Sequence, residues 1–136
     1  MSTSTLSRPL RIFLVENHPD TLKYYQMYLQ IEGHSVCHAR TMNEAYEAIP
    51  HSDCDVLISD VGLPDGTGWD LLDRLRKENL PHPAYAIAVS GYGRDEDRSR
   101  SRAAGFRHHL LKPFDPADLD ALLEEAARER PVQSSG

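Results

Sequence analysis

Five short apolar runs are separated by longer stretches of helical periodicity, and the two kinds alternate strictly along the chain. The runs are RIFLV (11–15), HSVCHA (34–39), DVLIS (55–59), YAIAVS (85–90) and RHHLL (107–111). Their length and their β-branched and aromatic content predict strands. Helices are predicted over 19–31, ending before Gly33, and over 42–49, closed by Pro50. Two more are predicted over 68–79 and over 94–104, the second stopping at Gly105. The last begins with Asp115 as cap and Pro116 in the first turn, burying Leu119, Leu122, Leu123 and Ala126. Strict alternation demands parallel strands joined by right-handed crossovers. The expected fold class is therefore α/β: a doubly wound, five-stranded parallel sheet between two helical layers. In such sheets the crevice that binds and reacts lies at the carboxyl ends of the strands.

With 136 residues the chain has material for one domain with a real core, expected over 10–129 between polar tails at 1–9 and 130–136. The net charge of −6 comes without a basic cluster, which argues against direct nucleic-acid binding. The longest early apolar run, Ile12 to Val15, is too short for a signal peptide or a membrane span, so a cytoplasmic protein is expected. Cys37 and Cys54 lack any metal or redox spacing and read as small buried hydrophobes in a reducing compartment.

The carboxyl end of each predicted strand narrows the function. The first delivers Glu16 and Asn17, the third Asp60, the fourth Ser90 and the fifth Lys112. An isolated Asp60 reads as a turn or cap residue, and an isolated Lys112 as a surface lysine. Brought to one rim from four strands, the set suits phosphoryl chemistry. Asp60 is the expected nucleophile. A hard divalent cation, Mg²⁺, would take oxygens from Glu16, Asn17, Asp60 and the backbone carbonyl at Gly62. Lys112 and the Ser90 hydroxyl would receive the phosphoryl oxygens.

The stretches LVENH, DVLISDVGLPDGTG, AVSGYG and LLKPF give the chain a close resemblance to receiver domains of two-component response regulators. The resemblance covers about residues 10–127. Its most specific features are Asp60 with Pro64 four residues on, and Lys112 before Pro113-Phe114. It implies the flavodoxin-like, CheY-like (βα)5 fold. It also implies that Asp60 accepts phosphate from a histidine kinase or a phosphotransfer protein, with Mg²⁺. The wording LPDGTGWDLL and GFRHHLLKPF is most like receivers of hybrid sensor kinases and some stand-alone regulators.

Two positions depart from that pattern. Asn17 stands where such domains usually carry a second acid, so weaker Mg²⁺ binding is expected. His109 stands at the switch position, three residues before the lysine, where Tyr or Phe is usual. A switch built on Ser90 and His109 is expected, against the plainer reading that His108 and His109 are an exposed strand edge.

Surface features suggest partners. The segment RDEDRSRSRAAG is poor in large apolar residues, so its helix is expected to bury only Ala103 and Ala104 and to be mobile. On the first helix, Leu22, Tyr25 and Leu29 are expected to face the sheet, leaving Tyr24, Met27 and Tyr28 as a docking patch for the phosphodonor. Tyr92, near Ser90, is a candidate shield for an acyl phosphate. Nothing after residue 130 reads as a second core, so either output is expected through a downstream protein effector, from a monomer or a phosphorylation-dependent dimer, or the chain is a piece of a larger protein. The main competitor is a pseudo-receiver, a module that binds partners without phosphate. A flavodoxin-like redox protein would need a Ser/Thr/Gly-rich loop after the first strand, and ENHPDTL is not one.

Overall fold

A computed structural model describes residues 9–91 and 93–129. The tail segments 1–8 and 130–136, and Tyr92, lie outside the described residues. The chain runs through β1 (Arg11–Val15), α1 (Pro19–Ile31), β2 (Ser35–Ala39) and α2 (Met42–Ala48), then a 3-10 turn (Ile49–His51) and β3 (Val56–Asp60). A small hairpin of β4 (Gly62–Leu63) and β5 (Gly66–Thr67) leads into α3 (Gly68–Lys77). β6 (Tyr85–Ser90), α4 (Asp95–Ala104), β7 (His108–Leu111) and α5 (Pro116–Glu129) complete it.

The main sheet has the order β2-β1-β3-β6-β7, with every pairing parallel. The chain leaves β1 to one side for β2 and returns to the other side for β3. That reversal opens a crevice at the carboxyl ends of β1 and β3. Glu16 directly follows β1, and Asp60 is the last residue of β3.

Period-two alternation sends successive strand residues to opposite faces. Ile12, Leu14, Val56, Ile58, Ile87 and Val89 pack with Leu22 and Leu29 of α1 and Leu119 and Leu123 of α5. Phe13, Val15, Leu57, Ala86 and Ala88 pack with Ala45 of α2, Leu71, Leu72 and Leu75 of α3, and Ala104. All five residues of β3 are buried, whereas the edge strand β2 buries only Ala39.

Local chemistry explains the boundaries. Thr41 and Thr67 cap α2 and α3, accepting from the backbone N–H of Glu44 and Asp70. Asp65, at the hairpin tip, accepts from the N–H groups of Met42 and Asn43 and so caps α2 from outside it. Asp115 Oδ1 accepts from Ala117 N–H at the start of α5. Gly105, with φ +115°, closes α4 in the left-handed region that glycine supplies at least cost.

Four expectations need correction. α3 stops at Lys77, two residues early, because Asn79 turns left-handed with φ +56°. α2 gives way to the 3-10 turn at Ile49. Cys37 is exposed on the edge strand rather than buried, and Cys54 is half-buried. Ala103 points to solvent, while Ser101 takes the inner position beside Ala104. A hydroxyl in that position is invisible to a hydrophobicity pattern.

Candidate functional site

Glu16, Asp60 and Lys112 meet in the crevice. Lys112 Nζ lies 2.9 Å from Asp60 Oδ1 and 3.0 Å from Glu16 Oε1. Both carboxylates are buried, Glu16 at 2% exposure and Asp60 at 7%. Lys112 arrives there because its N–H donates to the Ser90 carbonyl at 2.8 Å, extending the β6–β7 ladder by one step. The peptide from Lys112 to Pro113 is cis.

Burial, resisted by the Lys112 hydrogen bond and reinforced by the Glu16 charge, pushes the Asp60 carboxyl up to about 7. Burial also works against the Glu16 charge, but bonds from Lys112 and from the His18 backbone N–H outweigh it and hold Glu16 below the usual range. The two acids are thus pushed apart in acidity, with Glu16 the stronger acid and Asp60 the weaker.

The floor beneath Asp60 is tight. A Cβ at Gly68 would lie 2.5 Å from the Asp60 carbonyl oxygen and 2.9 Å from Ser59 Oγ. Gly68 N–H donates to the Val61 carbonyl at 2.8 Å, and the Ser59 hydroxyl to the Asp60 carbonyl at 2.9 Å. Only glycine lets α3 start this close to the strand end.

Ser90, the last residue of β6, does not point its hydroxyl at an isolated turn. Its Oγ lies 2.8 Å from His109 Nε2, and His109 Nδ1 lies 2.8 Å from Ser101 Oγ on α4. The indole N–H of Trp69, on α3, donates to the same Ser101 hydroxyl at 2.8 Å. An indole nitrogen only donates, so Ser101 accepts from Trp69 and its own hydrogen is available to His109 Nδ1. A continuous polar chain therefore joins the pocket to two helices. Sequence reading found Ser90 and His109 but missed Ser101 and Trp69, whose one signal was a serine at a helical position otherwise expected to be apolar.

Asn17 is half-buried between Glu16 and His18, and its carbonyl accepts from Arg40 Nε at 3.1 Å. Gly62 is exposed at the start of β4, opposite Thr67. His18 was not singled out from the sequence, yet its Nδ1 lies 3.1 Å from Glu16 Oε2. Glu16, His18 and Asp60 offer ligand atoms within 4.8 Å of one another. With both buried carboxylates ionised against one lysine the pocket is net negative, so its donors fit a divalent cation.

Two surfaces flank the crevice. On α1, Tyr24 and Met27 are exposed, joined by Ile31. Tyr28 is not outward as expected: it packs on the core, and its hydroxyl donates to Asp120 Oδ2 on α5 at 2.6 Å. Tyr25 stacks on Phe114 with ring centroids 5.4 Å apart. On the far side, α4, β7 and α5 enclose a cleft of about 360 Å³ lined by Arg98, Arg102, Arg107, His108, His109 and Asp118, among others.

Known proteins bear on the family and the fold. Residues 12–124 match the family model described as the response regulator receiver domain. An uncharacterised 14.6 kDa protein of Leptolyngbya boryana is 35% identical over 114 residues, covering 84% of this chain and 87% of its own. Response regulator Rre1 of Synechocystis is 26% identical over 133 residues, covering 96% of this chain but 58% of its own. Among solved structures, a CheY-like receiver domain from Methanospirillum hungatei superposes with a TM-score of 0.79 at 27% identity, covering 95% of this chain and all of that one. The non-phosphorylated HemR receiver domain of Leptospira biflexa gives 0.78 at 26% identity, covering 91% and 98%.

The chain belongs to the receiver domain family of two-component response regulators. It spans only about half the length of several curated regulators that it matches, such as the 54% of a probable transcriptional regulator, ycf29, of Porphyra purpurea. Among the described residues, no helix is long and apolar enough to cross a membrane.

Proposed function

We propose that Asp60 is the phosphoacceptor of a phosphorelay and that Glu16, Lys112 and Ser90 serve it. The observation that carries this is the Lys112 ammonium, bonded at once to Asp60 and Glu16 in the crevice. An ionised Asp60 oxygen attacks the phosphorus of a phosphohistidine. The P–N bond breaks, its electron pair stays on the imidazole, and an acyl phosphate forms on Asp60. Lys112 then exchanges its Asp60 bond for one to a phosphoryl oxygen. Glu16 keeps the other side of the ammonium, so the lysine stays aimed.

Asp60, raised to about 7, is an above-average carboxylate nucleophile whenever it is ionised. Mg²⁺ bound among Glu16, Asp60, the Asn17 side chain and the Gly62 carbonyl would stabilise that ionised form and offset charge building on the phosphoryl group. Asn17 brings oxygen without charge, so this chain would bind Mg²⁺ more weakly than a variant Asn17→Asp.

The phosphodonor, a histidine kinase or phosphotransfer protein, would dock beside α1, against Tyr24 and Met27. Output would follow Ser90 and His109 to the α4–β7–α5 cleft. The arginines there suit an acidic segment of a cytoplasmic effector protein. The test is beryllofluoride titration read by Trp69 fluorescence. A saturable change that requires Mg²⁺ is expected, and no change in wild type would instead favour the pseudo-receiver reading that Asn17 invites.

A further inference from the structure

Among the described residues, the His18 side chain touches one polar partner, the Glu16 carboxylate. It stands at the N-cap of α1, yet makes no capping bond to the helix. Its ring is 73% exposed, while the Glu16 carboxylate it touches is buried. Glu16 Oε2 already accepts the His18 backbone N–H at 3.1 Å, so it does not depend on the imidazole for a partner. Lys112 occupies Glu16 Oε1 and Asp60 Oδ1. One oxygen each of Glu16 and Asp60 lies with His18 Nδ1 inside a common 4.8 Å limit, and on Glu16 the oxygen facing the imidazole is Oε2, the one Lys112 does not bond. Metal bonds of about 2.1 Å place ligand atoms about 3 Å apart when cis and about 4.2 Å apart when trans. His18 Nδ1, at 3.1 Å from Glu16 Oε2, already has the cis spacing to that ligand, and its exposed ring has room to adjust toward Asp60.

We propose that His18 Nδ1 is a metal ligand of this pocket and shifts its preference from Mg²⁺ toward borderline first-row ions such as Mn²⁺. Imidazole nitrogen suits first-row transition ions, whereas Mg²⁺ favours oxygen and gives up water reluctantly. The position that would add a second hard, charged oxygen is Asn17, an uncharged amide. The chain thus loses hardness at one residue and offers nitrogen at the next. The inference rests on the pocket being a cation site, as proposed above, but does not require phosphotransfer.

The test is pulsed EPR on the Mn²⁺-loaded protein, with Mn²⁺ and Mg²⁺ affinities measured in parallel. Nitrogen modulation from one imidazole is expected in wild type and should vanish in His18→Ala. That exposed substitution should weaken Mn²⁺ about 10-fold while changing Mg²⁺ less than about 3-fold. Nitrogen modulation that survives in His18→Ala comes from another histidine and overturns the assignment. Bound Mn²⁺ without nitrogen modulation overturns it too, and if Mg²⁺ still supports the beryllofluoride response, the phosphoacceptor reading stands. Loss of both Mn²⁺ binding and that response overturns the two together.

Discussion

His109 Nε2 lies 2.8 Å from the Ser90 hydroxyl, which ties the middle of β7 to the carboxyl end of β6. Tyrosine or phenylalanine lacks a ring acceptor or donor on both sides. A histidine bonds two serines at once, and through Ser101 it reaches Trp69, the one tryptophan of the sequence. Movement of Ser90 toward a phosphoryl group should therefore be felt at α3 and α4.

That coupling predicts a fluorescence result. Beryllofluoride with Mg²⁺ should change Trp69 emission, and Ser101→Ala should cut the change by about half or more while leaving the beryllofluoride affinity within about 3-fold. An undiminished change in Ser101→Ala would mean that Trp69 senses the pocket directly, without the polar chain.

Asp60 predicts a pH dependence of stability in metal-free protein. Its folded pKa of about 7 lies above the value of about 3.9 for a free aspartate. Between these values the folded state holds more protons than the unfolded state, so Asp60 makes stability fall as pH rises from about 4 to 7. Asp60→Asn should remove that slope. It should be more stable than wild type at pH 8 by about 1–3 kcal/mol, below the ~4 kcal/mol of the whole shift because Asn weakens the Lys112 contact. The advantage should disappear near pH 4. Urea unfolding at both pH values decides it, and a less stable Asn variant at pH 8 would refute the burial argument.

Gly68→Ala should be among the most damaging small substitutions near the site. Its methyl meets backbone at 2.5 Å, and the Asp60 carbonyl cannot rotate away as a side chain would. A loss of about 2 kcal/mol is expected, together with slower phosphorylation because the end of β3 must move. Stability and phosphorylation both within error of wild type would show that α3 starts with slack.

Tyr28→Phe tests whether α1 is tied to α5. Its hydroxyl bond to Asp120 is charge-assisted and half-buried, so its loss should cost about 1–2 kcal/mol. Tyr24→Ala, at an exposed position, should leave stability within about 0.5 kcal/mol and lower only transfer from the phosphodonor. The reverse pattern would return Tyr28 to the docking patch.

These residues also mark what the sequence could reveal. Apolar runs of strand length located the five main strands to within a residue or so: burial on both faces accounts for β3 and β6, whereas the largely unburied edge strands β2 and β7 were legible from their place in the alternation. Glu16, Asp60, Ser90 and Lys112 were legible because chain position alone puts them at strand ends. Ser101 was not, since its partners Trp69 and His109 are brought to it by the fold from α3 and β7, and His18 was not, since the acidic pocket it borders is assembled from separate strands. The β4–β5 hairpin was missed because two-residue strands around Pro64 and Asp65 carry no alternation to read. Tyr28 was misplaced because helical spacing gives a direction, and a neighbouring helix decides whether that direction is solvent.

The central claim is that Asp60 alone takes the phosphoryl group. Intact-mass spectrometry after incubation with acetyl phosphate and Mg²⁺ tests it most directly, with peptide mapping of the product. A single phosphoryl adduct on Asp60 is predicted, absent in Asp60→Asn and suppressed by chelating the metal. No adduct in the wild type, or an adduct that persists in Asp60→Asn, would contradict it.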